Sequence, residues 1–150
     1  MTDRNFAALR RRLKEDAQGD SPTRQHIVSI ERQIADIERG DFDAALSNAD
    51  PDVELDVFAP PEFKWIAHAR GIAAVRRALE VNFTYLENQT PEILNVVSQA
   101  NSVVLIGRDR GRIRATGKPY DVEFVDRFTF SGGRLRSIRV IAAHRDDSRE

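Results

Sequence analysis

The chain has 150 residues, of which 41% are hydrophobic and 31% are charged, and its formal net charge is −1. This composition is typical of one globular domain with a hydrophobic core, and the near-zero charge excludes a general electrostatic attraction to nucleic acid or to an anionic membrane. The absence of cysteine excludes disulfides and thiol nucleophiles. No segment has the pattern of a signal peptide and no apolar run is long enough to cross a bilayer, so we expect a cytoplasmic protein without membrane contacts.

An accessory helix is predicted at the amino-terminal end of the chain, over residues 3–17. Its apolar side chains recur three and four residues apart, as in an amphipathic helix: Phe6, Leu9 and Leu13. We place this helix in a segment of its own, residues 1–20, before a main domain at 21–146 and a tail at 147–150.

Helices and one strand alternate in the first half of the main domain. A helix is predicted from near Ser21-Pro22-Thr23 to Gly40, a usual carboxyl-terminal cap, and a short helix over 41–49. A half-buried strand follows at 53–57, where apolar and polar residues alternate. The next helix is predicted to begin at Gly71 and to end before Asn88-Gln89-Thr90-Pro91.

Four strands are predicted in the rest of the chain, because apolar residues now recur at every second position. They cover residues 92–99, 102–116, 120–131 and 134–144. Helices followed by a strand meander indicate an α+β fold, in which the helices pack on one face of a curved antiparallel sheet.

Two aspartates are predicted to point into the apolar face of this sheet. Alternation along the strands turns Asp109 away from a stripe of arginines and places Asp126 in phase with phenylalanines. If Gly117-Lys118 centres a tight hairpin, Asp109 and Asp126 are cross-strand neighbours, about 5 Å apart at Cβ, and one of them holds a proton at neutral pH. The alternative is that one of them pairs with an arginine or lies at a bulge that turns it to water.

Three further residues are candidates for the rim of a pocket. Trp65 and His68 precede the Gly71 helix, and His68 is a candidate general base near neutral pH. The alternatives are a solvated histidine and a tryptophan that plugs the core. Tyr85 is placed at the pocket mouth. The three histidines have no metal-ligand spacing, so we expect no metal and no cofactor.

The outward face of the sheet mixes apolar residues with arginines. This mixture is too apolar for a fully solvated surface, so we predict a homodimer interface there. Asp121 and Glu123 face the arginine stripe across the strands and neutralise it, so we expect no nucleic-acid partner.

Several short motifs resemble the nuclear transport factor 2 superfamily, above all its ketosteroid-isomerase-like and SnoaL-like polyketide-cyclase branches. The motifs are Gly40-Asp41-Phe42-Asp43, Ala49-Asp50-Pro51-Asp52-Val53, Gly71-Ile72 and Val125-Asp126-Arg127-Phe128-Thr129-Phe130-Ser131-Gly132-Gly133-Arg134-Leu135. The similarity covers about residues 24–144. It implies a cystatin-like cone, in which a curved sheet wraps around three helices and a pocket opens between them, and it implies a homodimer.

The resemblance also assigns roles to single positions. Asp126 matches the position at which steroid isomerases keep a protonated aspartate in their oxyanion hole. The tyrosine of that hole falls on Gln33, and the general base falls on Val57 if strand phase is kept, or on Asp56 if one residue is deleted. The inward acid of the related limonene-type epoxide hydrolases falls on Val140.

The leading hypothesis is a pocket protein that catalyses enolisation, isomerisation or cyclisation of a hydrophobic carbonyl compound. Its predicted catalytic residues are Asp126, Asp109 and His68. Its predicted pocket-lining residues are Gln33, Val57, Trp65, Tyr85, Phe124, Phe128, Ile138 and Val140. The competing hypothesis is a non-catalytic ligand-binding or dimeric scaffold domain, because the matched positions lack the tyrosine and the first-strand base.

Overall fold

The computed structural model describes residues 4–17 and 24–145. The helices are α1 (Ala7–Asp16), α2 (Arg24–Glu38), α3 (Phe42–Ala45) and α4 (Ile72–Thr84). The strands are β1 (Ala49–Phe58), β2 (His68–Arg70), β3 (Leu86–Gln99), β4 (Ser102–Ile113), β5 (Pro119–Ser131) and β6 (Arg134–His144). The helix start predicted at Ser21-Pro22-Thr23 and the tail at 147–150 lie outside the described residues. In the two described ranges, no helix has both the length and the apolar character that crossing a bilayer requires.

The six strands form one sheet in the order β2-β1-β6-β5-β4-β3. Register shifts interrupt the ladders at β1, β3 and the end of β5, and irregularities of this kind bend and twist a sheet. The predicted α+β class, with helices packed on a curved sheet, is confirmed. The expectation of an entirely antiparallel sheet is wrong for one pair: β1 and β6 run parallel, with Leu55 beside Ile138. These two strands are far apart in the chain, so no hairpin forces them to be antiparallel.

The end of α2 follows the sequence prediction. Gly40 has a φ of +81°, which favours glycine, and the backbone N–H of Gly40 donates to the carbonyl of Ile37 at 2.9 Å. The N–H of Asp41 donates to the carbonyl of Asp36, also at 2.9 Å, which completes the usual pair of bonds at a glycine-terminated helix. The apolar side of α2 then packs against the sheet, with Ile30 only 1% exposed.

Helix α1 is an integral part of the core and not an accessory. Phe6 and Leu13 are 1% and 0% exposed, and they belong to the same hydrophobic cluster as the sheet and α2. Arg10 forms ion pairs with Glu31 and Glu38 of α2, at 3.1 and 3.0 Å. The spacing of apolar residues indicated which side of α1 is buried, but it could not indicate what that side packs against.

The register between β4 and β5 differs from the predicted one by four residues. Asp109 lies opposite Val122, and Asp126 lies opposite Leu105, so the two aspartates are not cross-strand neighbours. The cause is the turn, which begins at Ile113: the N–H of Gly117 donates to the Ile113 carbonyl at 2.8 Å, and five residues connect the strands where a two-residue hairpin was expected. Because a shift of four preserves strand phase, both aspartates still face inward, as predicted.

Strand β3 begins before Pro91, although a break was predicted there. Pairing with β4 starts at Leu86 and skips two residues between Glu87 and Thr90, where Asn88 adopts a φ of +54°. This bulge turns the side chain of Gln89 into the molecule, where it is 6% exposed.

Candidate ligand cavity

A cavity of about 140 Å³ lies between α1, α2, α4 and the inner face of the sheet. Its walls are mostly aliphatic and aromatic side chains. Besides the indole of Trp65, the wall contains five polar side chains: Gln33, Asn82, Gln89, Asp109 and Asp126. No arginine, lysine or histidine of the described ranges lines it. The cavity therefore combines two carboxyl groups with no basic side chain.

Most of the predicted site residues meet at this cavity. Nine of them line it: Gln33, Val57, Trp65, Asp109, Phe124, Asp126, Phe128, Ile138 and Val140. Strand alternation was sufficient to place the members that come from β1, β4, β5 and β6, because a period of two decides which face a side chain joins.

His68 and Tyr85 lie outside the cavity wall, contrary to prediction. His68 is on β2, not in a loop; its side chain is 66% exposed and its Nδ1 lies 2.6 Å from Oδ1 of Asp56. The hydroxyl of Tyr85 donates to the carbonyl of Glu62 at 2.8 Å and so fastens the loop after β1. His68 is therefore too far toward solvent, at the sheet edge, to act as a base in the cavity.

Asp126 is the most chemically unusual residue of the cavity wall. It lies at the centre of β5, with Leu105 and Val140 on the neighbouring strands, and it lines the cavity. Its Oδ1 has no hydrogen-bond partner in the described part of the chain. Burial, with a smaller contribution from the charge of Asp109, raises the pKa of Asp126 to about 8. Asp126 therefore carries a proton at neutral pH.

Asp109 has a different environment at the other end of the same face. Its Oδ2 accepts hydrogen bonds from Nε2 of Gln89 at 2.9 Å and from the hydroxyl of Tyr120 at 3.2 Å. Burial raises the pKa of Asp109 to about 7, although these two bonds and the Arg110 N–H act in the opposite direction. Burial and the neighbouring carboxyl also raise the pKa of Tyr120, which stays a phenol and a donor.

Two buried acceptor atoms at this end have no partner among the described residues: Oδ1 of Asp109 and Oε1 of Gln89. Leaving a buried polar atom unpaired costs about 1–3 kcal/mol. Because both residues line the cavity, these unpaired polar groups border the space that a ligand would occupy.

The amide groups of Gln33 and Asn82 in the cavity wall are already in use. Gln33 donates through Nε2 to the carbonyl of Ala45 at 3.2 Å. Asn82 accepts from the N–H of Ile66 at 2.8 Å and donates to its carbonyl at 3.1 Å, which holds the loop that carries Trp65. Gln33 thus stands where the resemblance places a tyrosine, but its amide nitrogen is directed to the backbone.

Sequence reasoning missed three contributors to the site. Gln89 lies in the bulge of β3, and the Asn-Gln-Thr-Pro run that contains it suggested a break. Tyr120 opens β5 in phase with Val122 and Phe124, so the alternation could have identified it. Phe6 lines the cavity from the segment before α1, which only the tertiary structure brings there. Within residues 4–17 and 24–145, no group of three or more histidine, aspartate or glutamate side chains is arranged to hold a metal ion.

Comparison with known proteins gives a family match. The model of the SnoaL-like domain matches residues 30–138. No curated protein sequence matches the chain.

Several solved structures are similar in fold. A putative SnoaL-like polyketide cyclase from Jannaschia sp. CCS1 is 19% identical, with 83% of this chain and 90% of that chain covered and a TM-score of 0.70. A putative isomerase from Bacillus subtilis is 15% identical, with 83% and 90% covered and a TM-score of 0.67. TerC, co-crystallised with polyporic acid, is 22% identical, with 79% and 92% covered and a TM-score of 0.64. At these identities the likeness shows a shared fold.

Proposed function

The chain belongs to the SnoaL-like domain family of the nuclear transport factor 2 superfamily, and on that premise we propose that it catalyses enolisation, isomerisation or cyclisation of a hydrophobic carbonyl compound. A small-molecule pocket is the property common to the family. The observation that carries the finer proposal is Asp126, a carboxylic acid that keeps its proton at neutral pH and has an unpaired oxygen in an apolar cavity.

The proposed role of Asp126 is to donate a hydrogen bond to the carbonyl oxygen of the substrate. Negative charge develops on that oxygen when a proton leaves the carbon skeleton, so a fixed donor stabilises the transition state more than the ground state. The surrounding wall is apolar, which strengthens the interaction relative to the same bond in water.

The proposed proton acceptor is Asp109. With a pKa of about 7, a substantial fraction of Asp109 is ionised at neutral pH, and its Oδ1 is unpaired. Proton abstraction usually requires a base whose pKa lies near the working pH. His68 has no part in this proposal because it lies on the exposed edge of the sheet.

The test is the binding of carbonyl-labelled acetophenone, followed by carbon NMR between pH 6 and 9. Donation from Asp126 predicts a downfield carbonyl shift that is lost as the pH rises through about 8, where the donor titrates. In Asp126→Leu we expect no such shift at any pH. A bound probe whose carbonyl shift is the same in the wild-type protein and Asp126→Leu would refute the proposed role.

A non-catalytic binding protein is the second candidate. The specific observation in its favour is Val57, which is buried and stands where the resemblance places the general base. This alternative predicts that the ligand binds tightly and is recovered after incubation with its stereochemistry and its deuterium content unchanged. Exchange of deuterium from solvent into the methyl group of acetophenone that is lost in Asp126→Leu would exclude it.

We also propose a cytoplasmic homodimer that forms through the outer face of the sheet. A row of apolar residues crosses four strands in register: Phe58, Ile141, Val125 and Ile106. Phe58 and Ile141 are 51% and 46% exposed, which is high for side chains of this size. Light scattering should give twice the chain mass for the wild-type protein and the mass of a single chain for Val125→Lys. A monomeric wild-type protein would contradict the proposal.

A further inference from the structure

The two carboxyl groups of the cavity form two separate polar ends. Asp109 and Asp126 point to the same face, and the register places Asp126 four residues beyond the partner of Asp109 along β5. At about 3.3 Å per residue, four residues correspond to about 13 Å between backbone positions along the strand. The two acids therefore belong to different parts of the inner face, and the cavity wall between them, which includes Phe124, is apolar.

The two ends differ in hydrogen-bonding character. At neutral pH Asp126 offers a proton, whereas the other end presents unpaired acceptor atoms on Asp109 and Gln89. A ligand that satisfies both ends has an acceptor at one end and a donor at the other. A carboxylate or phosphate ligand is disfavoured, because no basic side chain of the described ranges lines the cavity.

The volume sets the size of such a ligand. A cavity of about 150 Å³ is large enough for benzene, and the cavity here is about 140 Å³. A ligand of about one ring, with one oxygen at each end, can direct one hydrogen bond of about 2.7 Å to each carboxyl group.

From this juxtaposition we infer that the ligand is an uncharged, conjugated hydroxy-carbonyl compound about one aromatic ring in size, with its carbonyl oxygen at Asp126 and its hydroxyl group at Asp109 and Gln89. The inference rests on the proposed function and deepens it, since it names the substrate class and assigns the second end of the cavity to a hydroxyl group.

In this arrangement Asp109 acts on the carbonyl group through the conjugated ring. The ionised Asp109 takes the hydroxyl proton on Oδ1, and the O–H electron pair stays on the ligand. Conjugation moves that negative charge through the ring to the carbonyl oxygen, where the proton of Asp126 stabilises it. One O–H bond breaks and one forms, with no change of oxidation state.

Gln89 is a positioning residue in this inference. The side-chain Nε2 of Gln89 donates to Asp109. The backbone carbonyl of Gln89 accepts from the N–H of Asn5 at 2.8 Å, so the segment before α1 fixes the bulge that carries Gln89. Its free Oε1 provides a second acceptor for the ligand hydroxyl.

The experiment compares three probes by calorimetry at pH 7: acetophenone, para-hydroxyacetophenone and meta-hydroxyacetophenone. We expect the para-hydroxy compound to bind about tenfold more tightly than acetophenone, the ratio that one hydrogen bond supplies. The meta isomer should gain less, since its hydroxyl group points away from Asp109. The absorption band of the bound para isomer should also move toward that of its anion.

Variants separate the subsite from general effects on the cavity. Asp109→Asn should abolish the shift of the absorption band, and Gln89→Met should reduce the tenfold preference to below about threefold. Gln99→Met is the matched control, because Gln99 lies on the same strand but is exposed, and it should keep the full preference.

The outcomes distinguish this inference from the function on which it rests. If acetophenone binds through Asp126 but the para-hydroxyl group adds no affinity and no change in absorption, the hydroxyl subsite is refuted and the proposed function stands. If none of the three ketones binds at millimolar concentration, both are refuted. An undiminished preference in Asp109→Asn would also overturn the subsite.

Discussion

Strand β5 carries two aspartates, five residues apart, whose environments are opposite. Asp121 faces outward, where Nε of Arg108 donates to its Oδ1 at 2.9 Å, and this bonding lowers the pKa of Asp121. Asp126 faces the cavity, where burial without a basic partner raises its pKa to about 8. The same side chain is thus a surface ion-pair partner on one face and a proton donor on the other, because strand alternation selects the environment.

The largest expected effect comes from removing the inner carboxyl group. Because the folded-state pKa of Asp126 is raised above its unfolded value of 3.8, the folded protein retains a proton that the unfolded chain releases, and stability falls as the pH rises from about 4 through 8. Asp126→Asn should remove that loss and raise the free energy of unfolding at pH 9 by several kcal/mol, on the order of five. Urea unfolding at pH 5, 7 and 9 measures it; an equal effect at all three pH values would show that the inner carboxyl group does not retain its proton.

The wall opposite the inner face of the sheet gives the next largest effect. Phe6→Ala should lower the free energy of unfolding by about 3–4 kcal/mol, because it empties a fully buried site. It should also enlarge the cavity, so that methyl naphthyl ketone binds the variant more tightly than the wild-type protein. Leu13→Ala is the control: it is equally buried but does not line the cavity, so it should cost similar stability without changing ligand size preference.

Close packing on the inner face of β4 predicts a smaller effect. A Cβ at Gly107 would overlap the carbonyl of Glu92 and lie 2.5 Å from Cζ of Phe124. Gly107→Ala should therefore cost about 2 kcal/mol and displace the Phe124 ring, which weakens binding of acetophenone. Gly132→Ala, at a φ of +58° with no atom within 4 Å of the added Cβ, should cost about 1 kcal/mol through backbone strain alone and leave binding unchanged.

The outer carboxyl group gives the smallest effect and the opposite sign. Because the pKa of Asp121 is lowered in the folded protein, its stabilising contribution is present above about pH 4 and is lost as the pH falls below the unfolded value of 3.8. Asp121→Asn should destabilise the protein by about 1 kcal/mol or less at pH 7 and by less at pH 2.5 than at pH 7. A stabilisation at pH 7 would remove the contrast between the two faces.

Sequence reasoning placed the aspartates on the correct face but in the wrong register. Alternation determines only whether a residue is at an even or odd position, and a shift of four residues leaves that unchanged. The register depends on the turn, and the five-residue connection after Ile113 contains no residue pattern that distinguishes it from a two-residue hairpin at Gly117-Lys118. The partner assigned to Asp126 was therefore wrong, although its orientation was right.

The polar partners of Asp109 were unpredictable for a different reason. Gln89 reaches the cavity only because Asn88 adopts a left-handed conformation and extends β3 backward past Pro91. Sequence rules treat an Asn-Gln-Thr-Pro run as a boundary. His68 shows the reverse error: a position next to the predicted pocket rim suggested a base, but pairing with β1 directs its side chain to solvent.

The contact between Asn5 and Gln89 has a consequence for the order of events during protein synthesis. At about 5–20 residues per second, a ribosome adds Gln89 roughly 4–17 seconds after Asn5. Throughout that interval Phe6 and Leu13 have been made but the bulge and strands β4, β5 and β6 have not. The segment that forms this wall of the cavity is thus synthesised first but is among the last to pack. Chaperone binding to this apolar segment would protect the chain during that interval.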